Sequence, residues 1–212
     1  MLMSIMVMAK KNAQPQAEGE KTAKRTAAEM GTFVDTRDGT EYKTCKIGNQ
    51  VWLAENLKFE LDSDDCVVYD EDYQYFDKYG YLYSEKGLKE AIPEGWHLPS
   101  KKEWETMVRF AKKDSRCKDV LSVIASEEWI ESSSDKYGFS MVPGGRRDDN
   151  DDFELIDFSA HFWCVEKTVD PISHAIGREK IYTCVRFEDG CDEIDDEDYP
   201  AYASVRLIKD AK

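Results

Sequence analysis

The segment Gly95-Trp96-His97-Leu98-Pro99-Ser100-Lys101-Lys102-Glu103-Trp104 changes character at Ser100. Ser100 and Glu103 stand three residues apart, the spacing of a reciprocal capping box that satisfies the first free amides of a helix. Trp104, Met107, Val108 and Ala111 then recur at steps of three and four, which puts one apolar stripe on a helix over 101–113. Downstream, Val120, Leu121, Val123 and Ile124 form a short apolar run over 119–126, read as helix, with a buried strand as the alternative. Upstream, 84–92 reads as a short helix that must stop before Pro93, because proline disfavours helical geometry in its predecessor. The residues before that, 80–84, read as extended.

Two groups of strands flank this helical centre. On the N-terminal side, 32–35, a turn at Arg37-Asp38-Gly39, the alternating run 41–47, a tight turn at Gly48-Asn49 and the segment 50–57 predict an antiparallel meander, with Trp52, Leu53 and Leu57 in the core. Residues 58–78 mix tyrosines and aspartates without a steady period and predict a long surface excursion. On the C-terminal side, 139–142, 162–166, 180–187 and 202–208 each have strand length. Meander, helices and a second strand group together predict the α+β class. The boundaries drawn are a signal-like and linker segment, 1–30, and one folded domain, 31–212.

Composition narrows the function. The chain of 212 residues carries a formal net charge of −15, so long-range repulsion opposes contact with nucleic-acid phosphates or an anionic membrane face. The acidity is concentrated in 148–157 and 188–198, which points to acidic loops. Cys45, Cys66, Cys117, Cys164, Cys184 and Cys191 permit up to three bridges without establishing one. There is no Cys-x-x-Cys pair, and with His97, His161 and His174 as the only histidines no zinc-ribbon framework is visible. Met1 to Ala9 is apolar like the core of a secretory signal and too short for a membrane span. It lacks a basic start, so it reads either as a signal whose true start lies upstream or as a disordered start. The residues from Gln14 to Met30 read as a linker or weak helix.

The string Gly95-Trp96-His97-Leu98-Pro99 with Ser100 and Glu103-Trp104 resembles the hallmark of the Fibrobacter succinogenes major paralogous domain. Further matching segments follow in the family's order: Arg37 to Tyr42, Lys46 to Leu57, Tyr79 to Tyr83, Gly138 to Ser140 with Pro143 to Arg146, and Ala203 to Arg206. The resemblance implies a C-type-lectin-like fold, an exported or cell-envelope protein and no catalytic residues to carry over. It also exposes two departures. Where the family usually has cysteine before the Pro-x-Gly-Trp-His segment and after Ser-Val-Arg, this chain has Ile92 and Leu207, which are expected to lie near one another. The family's Trp-Ser-Ser-like strand is replaced by Phe162-Trp163-Cys164-Val165-Glu166.

His97 can tie backbone groups together or act as a base, and the structural role is preferred because no nucleophile or paired acid completes a catalytic set nearby in sequence. Trp52, Trp96 and Trp104 read as core. Asp148, Asp149, Asn150, Asp151 and Asp152 are oxygen donors of the kind calcium takes, but Phe153 and Ser159 fall where an EF-hand needs glycine and glutamate. A solvated loop is the preferred reading there, with no cofactor assigned and calcium as the alternative. Arg146 and Arg147 can fork onto a carboxylate or sulfate, or pair with their acidic neighbours. The candidate ligand-binding set is Arg146, Arg147, Asp148, Asp149, Asp151 and Trp163. The function expected is a non-catalytic, secreted or cell-envelope binding or display module for a glycan or protein. The alternatives are an enzyme on the same scaffold, for which Cys184 and Cys191 invite comparison with sulfatase-modifying factors, and a structural paralogue without ligand.

Overall fold

The computed structural model describes residues 29–166, 181–190, 195–197 and 200–209. The readings of the apolar start, of nearly all the linker, and of His174 and Cys191 lie outside the described residues. Thirteen strands are described. They run β1 (Met30–Val34), β2 (Glu41–Ile47), β3 (Gln50–Leu53), β4 (Cys66–Val67), β5 (Leu82–Ser84), β6 (Trp96–His97) and β7 (Gly144–Arg147). There follow β8 (Phe153–Ile156), β9 (Ser159–Glu166), β10 (Ile181–Glu188), β11 (Asp195–Glu197), β12 (Tyr202–Ser204) and β13 (Ile208–Lys209). Four helices are described: α1 (Phe76–Tyr79), α2 (Leu88–Ala91), α3 (Lys101–Ser115) and α4 (Leu121–Ile124).

The strands form two sheets. One has the order β1-β2-β3-β13-β6, and the other β11-β10-β9-β7-β12-β5-β4, with β8 paired to β7 off this path. Both parallel and antiparallel pairings occur, and the helices are few and short. The class is therefore α+β with mostly strands.

The meander follows from its turn chemistry. Gly48 takes φ +63°, the left-handed region open to glycine at no steric cost, and β2 and β3 pair so that Cys45 faces Trp52. Helix α3 begins where the capping box demands: Glu103 N donates to Ser100 Oγ, and Glu103 Oε2 accepts from Ser100 N at 2.8 Å. Its buried residues are Trp104, Met107, Val108 and Ala111, the stripe read from the sequence, and it runs two residues past the expected end.

Trp104 is the hub of one core cluster. Its ring lies 4.7 Å from Trp52 and 5.2 Å from Phe162, centroid to centroid, with Phe187 at 5.3 Å. Strand β9 divides its side chains between two clusters: Ala160, Phe162 and Cys164 join this one, and Trp163 joins a second cluster with Tyr83, Leu98, Cys184 and Leu207. A strand buried on both faces has no solvent side.

Several elements differ from expectation. The run 139–142 is not a strand. Ser140 adopts φ +49°, held there by Asp135, whose carboxylate accepts from Ser140 N and Oγ at 3.0 and 2.6 Å, so the extended run is broken and the strand starts at Gly144. The C-terminal run 202–208 is two strands in two sheets, because Val205, Arg206 and Leu207 cross the core between them. The segment 58–78 is only partly a surface excursion: Leu61, Val68 and Tyr69 are buried, and short 3-10 turns precede α1. The acidic stretch after Arg147 is a hairpin with its own strand, β8, pressed so close to β7 that a Cβ on Gly145 would lie 2.3 Å from the carbonyl oxygen of Glu154.

Candidate functional site

The hallmark string itself builds a cleft. Helix α2 supplies Lys89, its connection to β6 supplies Ile92, Pro93 and Glu94, β6 and the residue after it supply Trp96, His97 and Leu98, and the start of α3 supplies Ser100 and Glu103. The facing wall comes from the other sheet: Val165 near the end of β9 and Tyr182 at the start of β10. The two walls are tied at one end, where Val165 N donates to the Pro99 carbonyl at 2.9 Å and Ser100 bridges Val165 in parallel. The cleft encloses about 580 Å³, within the range that small-molecule and side-chain pockets occupy.

Its polar floor is a closed network. The His97 Nε2–H donates to Glu103 Oε1 at 3.2 Å, while Ser100 Oγ and N both donate to Glu103 Oε2, at 2.6 and 2.8 Å. The hydrogen bond from His97 is the main reason that the Glu103 carboxyl is held down to about 2, with the Ser100 donors adding to it against the opposing effect of burial. A carboxylate with three donors stays ionised and fixes both the imidazole and the helix start. The acid that partners His97 was thus present six residues along, and the capping-box spacing was the signal for it. The apolar walls are Ile92, Pro93, Trp96, Leu98, Val165 and Tyr182. Burial raises the Tyr182 phenol above its ordinary range. Sequence reasoning missed Lys89, Pro93, Glu94, Val165 and Tyr182 as site residues, and nothing in the local pattern of 165 or 182 points to the cleft.

The site residues expected from sequence lie elsewhere. Arg146, Arg147, Asp148, Asp149 and Asp151 are brought together on the β7–β8 hairpin, where both arginines are paired with carboxylates of the same hairpin. Arg146 pairs with Glu154 at 3.2 Å, and Arg147 with Asp151 at 3.1 Å, with the Arg147 guanidinium over the rings of Tyr202 and Phe153. Asp148 accepts from Asn150 N, Asn150 Nδ2 and Asp152 N, and these bonds, the Asn150 side chain foremost, lower its pKa. Among the described residues no group of three or more His, Cys, Asp or Glu side chains is placed to hold a metal ion. Trp163 does not join this set. It is 0% exposed and its indole N–H donates to the Tyr83 carbonyl at 2.7 Å, so the expectation of a binding role for it is corrected: both faces of β9 are core. Cys184 is likewise enclosed, and Cys45, Cys66 and Cys117 are free thiols.

The other strings that match the family's order converge on a buried cation. Arg206 is fully enclosed, with Nε and Nη2 donating to Asn56 Oδ1 at 3.1 and 2.7 Å and Nη1 to the carbonyls of Phe139 and Leu53 at 2.7 and 3.3 Å. Asn56 in turn donates to the Tyr79 carbonyl and Ser204 Oγ. Leu53 and Asn56 from one segment and Phe139 from another thus hold the guanidinium directly, Tyr79 and Ser204 hold Asn56, and the guanidinium lies over the rings of Phe139 and Phe162.

A family model, the Fibrobacter succinogenes major domain, matches residues 45–209. The chain belongs to this family. The matched span runs from β2 to the last strand and so contains both the cleft and the Arg206 anchor. No curated protein and no solved structure matches the chain. Ile92 and Leu207, which stand where the family usually has cysteines, belong to the same apolar cluster: Leu207 is fully buried in it and Ile92 packs against it. No described helix is long and apolar enough to cross a membrane.

Proposed function

We propose that this Fibrobacter succinogenes major domain protein is a non-catalytic, exported binding module on a C-type-lectin-like scaffold, which receives a glycan or protein ligand in the cleft between Trp96 and Tyr182. The observation that carries the reading is the cleft itself: about 580 Å³, walled by six apolar side chains and floored by the His97–Glu103–Ser100 network. A concave, largely apolar site with a few fixed polar groups is the usual form of a ligand pocket. Export is supported by the apolar start of the chain and by the family resemblance.

A catalytic reading draws on one feature, an imidazole held by a carboxylate inside a cleft. Against it, the Ser100 hydroxyl donates to Glu103 and not to the imidazole, so this serine is not set up as a nucleophile. Cys184, the thiol considered for redox chemistry, is enclosed in the core and does not line the cleft.

The test is a glycan array and a peptide array probed with the full chain and with its Val165→Lys variant, in the presence of calcium and then of EDTA. Val165 is only partly buried, so lysine there fills the cleft without burying a charge in the core. Saturable binding by the parent chain that the variant loses at least tenfold is the expected result. Binding that the variant retains unchanged moves the site elsewhere, and binding that only EDTA removes returns it to the Asp148–Asp152 loop.

A further inference from the structure

We infer that the cleft takes an extended peptide segment, which lies along β6 and inserts one apolar side chain between Leu98 and Val165. The inference rests on the reading of the cleft as a binding site and selects among its ligands.

Four observations carry it. First, β6 is the terminal strand of its sheet among the described residues: it pairs with β13 on one side, Ile208 opposite His97 and Lys209 opposite Trp96, and the cleft lies along the strand. A strand at the end of its sheet beside a pocket is the arrangement in which main-chain hydrogen bonds give affinity and a side-chain pocket gives selectivity. Second, the Trp96 ring is not available as a stacking platform for a sugar. Phe33 packs on it at 5.0 Å, Lys209 Nζ lies 6.0 Å from its centroid, and the residue is 6% exposed. Third, both oxygens of the Glu103 carboxylate are engaged by His97 and Ser100, so the one acid on the floor has little left to offer the many hydroxyls of a glycan. What the floor and walls offer is apolar surface, which an aliphatic or aromatic side chain matches. Fourth, the mouth carries one charge of each sign, Lys89 and Glu94, and neither makes an ion pair among the described residues. A mouth without net charge suits the neutral, dipolar backbone of a peptide better than a polyanion or a polycation.

The cleft also limits the register. Because Val165 is joined to Pro99 and Ser100, the peptide cannot continue past that closed end. It occupies the stretch beside Trp96 and His97, with its apolar side chain facing Leu98.

The experiment is a titration of the ¹⁵N-labelled full chain, followed by amide chemical shifts, with three probes at millimolar concentration: Ac-Ala-Ala-Leu-Ala-Ala-NH₂, the same peptide with aspartate in place of leucine, and chitotriose. The leucine peptide is expected to shift the amides of Trp96 to Leu98, Val165 and Tyr182 saturably. The aspartate peptide should bind at least tenfold more weakly, and the Val165→Lys variant, which retains the dispersed spectrum of a folded protein, should lose the response. If chitotriose shifts these amides and the leucine peptide does not, the peptide inference is overturned and the cleft stands as a glycan site. If none of the three probes shifts them, the inference and the cleft reading fall together.

Discussion

Arg206 is a cation with no ion-pair partner among the described residues and no solvent. Its charge is balanced by three acceptor oxygens and two aromatic faces. Burial lowers its pKa to about 10, from 12.5, so below pH 10 it is charged in both the folded and unfolded chain and its desolvation opposes folding by a constant amount. That opposition shrinks only as the pH rises above 10. The compensation comes from the oxygens it satisfies, each of which would be costly to leave bare in the core. Arg206→Met is therefore expected to destabilise the chain by on the order of 3 kcal/mol, and Arg206→Lys by nearly as much, because an ammonium cannot span Asn56, Leu53 and Phe139 at once. Urea denaturation measures this; a loss under about 0.5 kcal/mol would show that the anchor contributes little. The same geometry gives the string Ser204-Val205-Arg206 a structural role.

Helix α3 owes its start to Glu103, and so does the floor of the cleft. Its carboxyl is held near 2 in the fold against an ordinary value of 4.5. A depressed acid contributes stability that is fully present above about pH 4.5 and is lost as the pH falls towards 2. With the side chain 27% exposed, the contribution is about 2 kcal/mol after solvent screening. Glu103→Gln keeps the cap in part but loses the charge, so its stability at neutral pH should drop by about 1–2 kcal/mol and its acid limb between pH 5 and 2 should flatten relative to the parent. Circular dichroism across that range reads both effects. An unchanged acid limb would mean that the His97 and Ser100 bonds do not hold the carboxylate. The helix was legible from the sequence because capping and an apolar stripe are local. The strand expected over 139–142 failed because Asp135, five residues earlier, holds Ser140 in a left-handed conformation.

Across the whole molecule, cohesion comes from two apolar clusters on the two faces of β9. Cys45, Cys164 and Cys184 are enclosed, and burial raises the Cys45 thiol to about 12, so it is inert at neutral pH. A reductant is expected to leave the melting temperature unchanged within about 1 °C; a bridge worth 2–4 kcal/mol would lower it by several degrees. Ile92 and Leu207 supply to the second cluster the apolar packing that suits a chain without that cross-link.

The family, the α+β class, the meander, helix α3 and most of the core were determined by the sequence alone, because turn residues, caps and periodic apolar positions act over a few residues. The tertiary structure alone decided that Trp163 is core, that the C-terminal run divides between two sheets, and that the hallmark string faces Val165 and Tyr182 across a cleft. Those outcomes depend on which strands become neighbours, and neighbours some 65 to 150 residues apart, such as Ser100 with Val165 or Asn56 with Arg206, leave no local pattern to read.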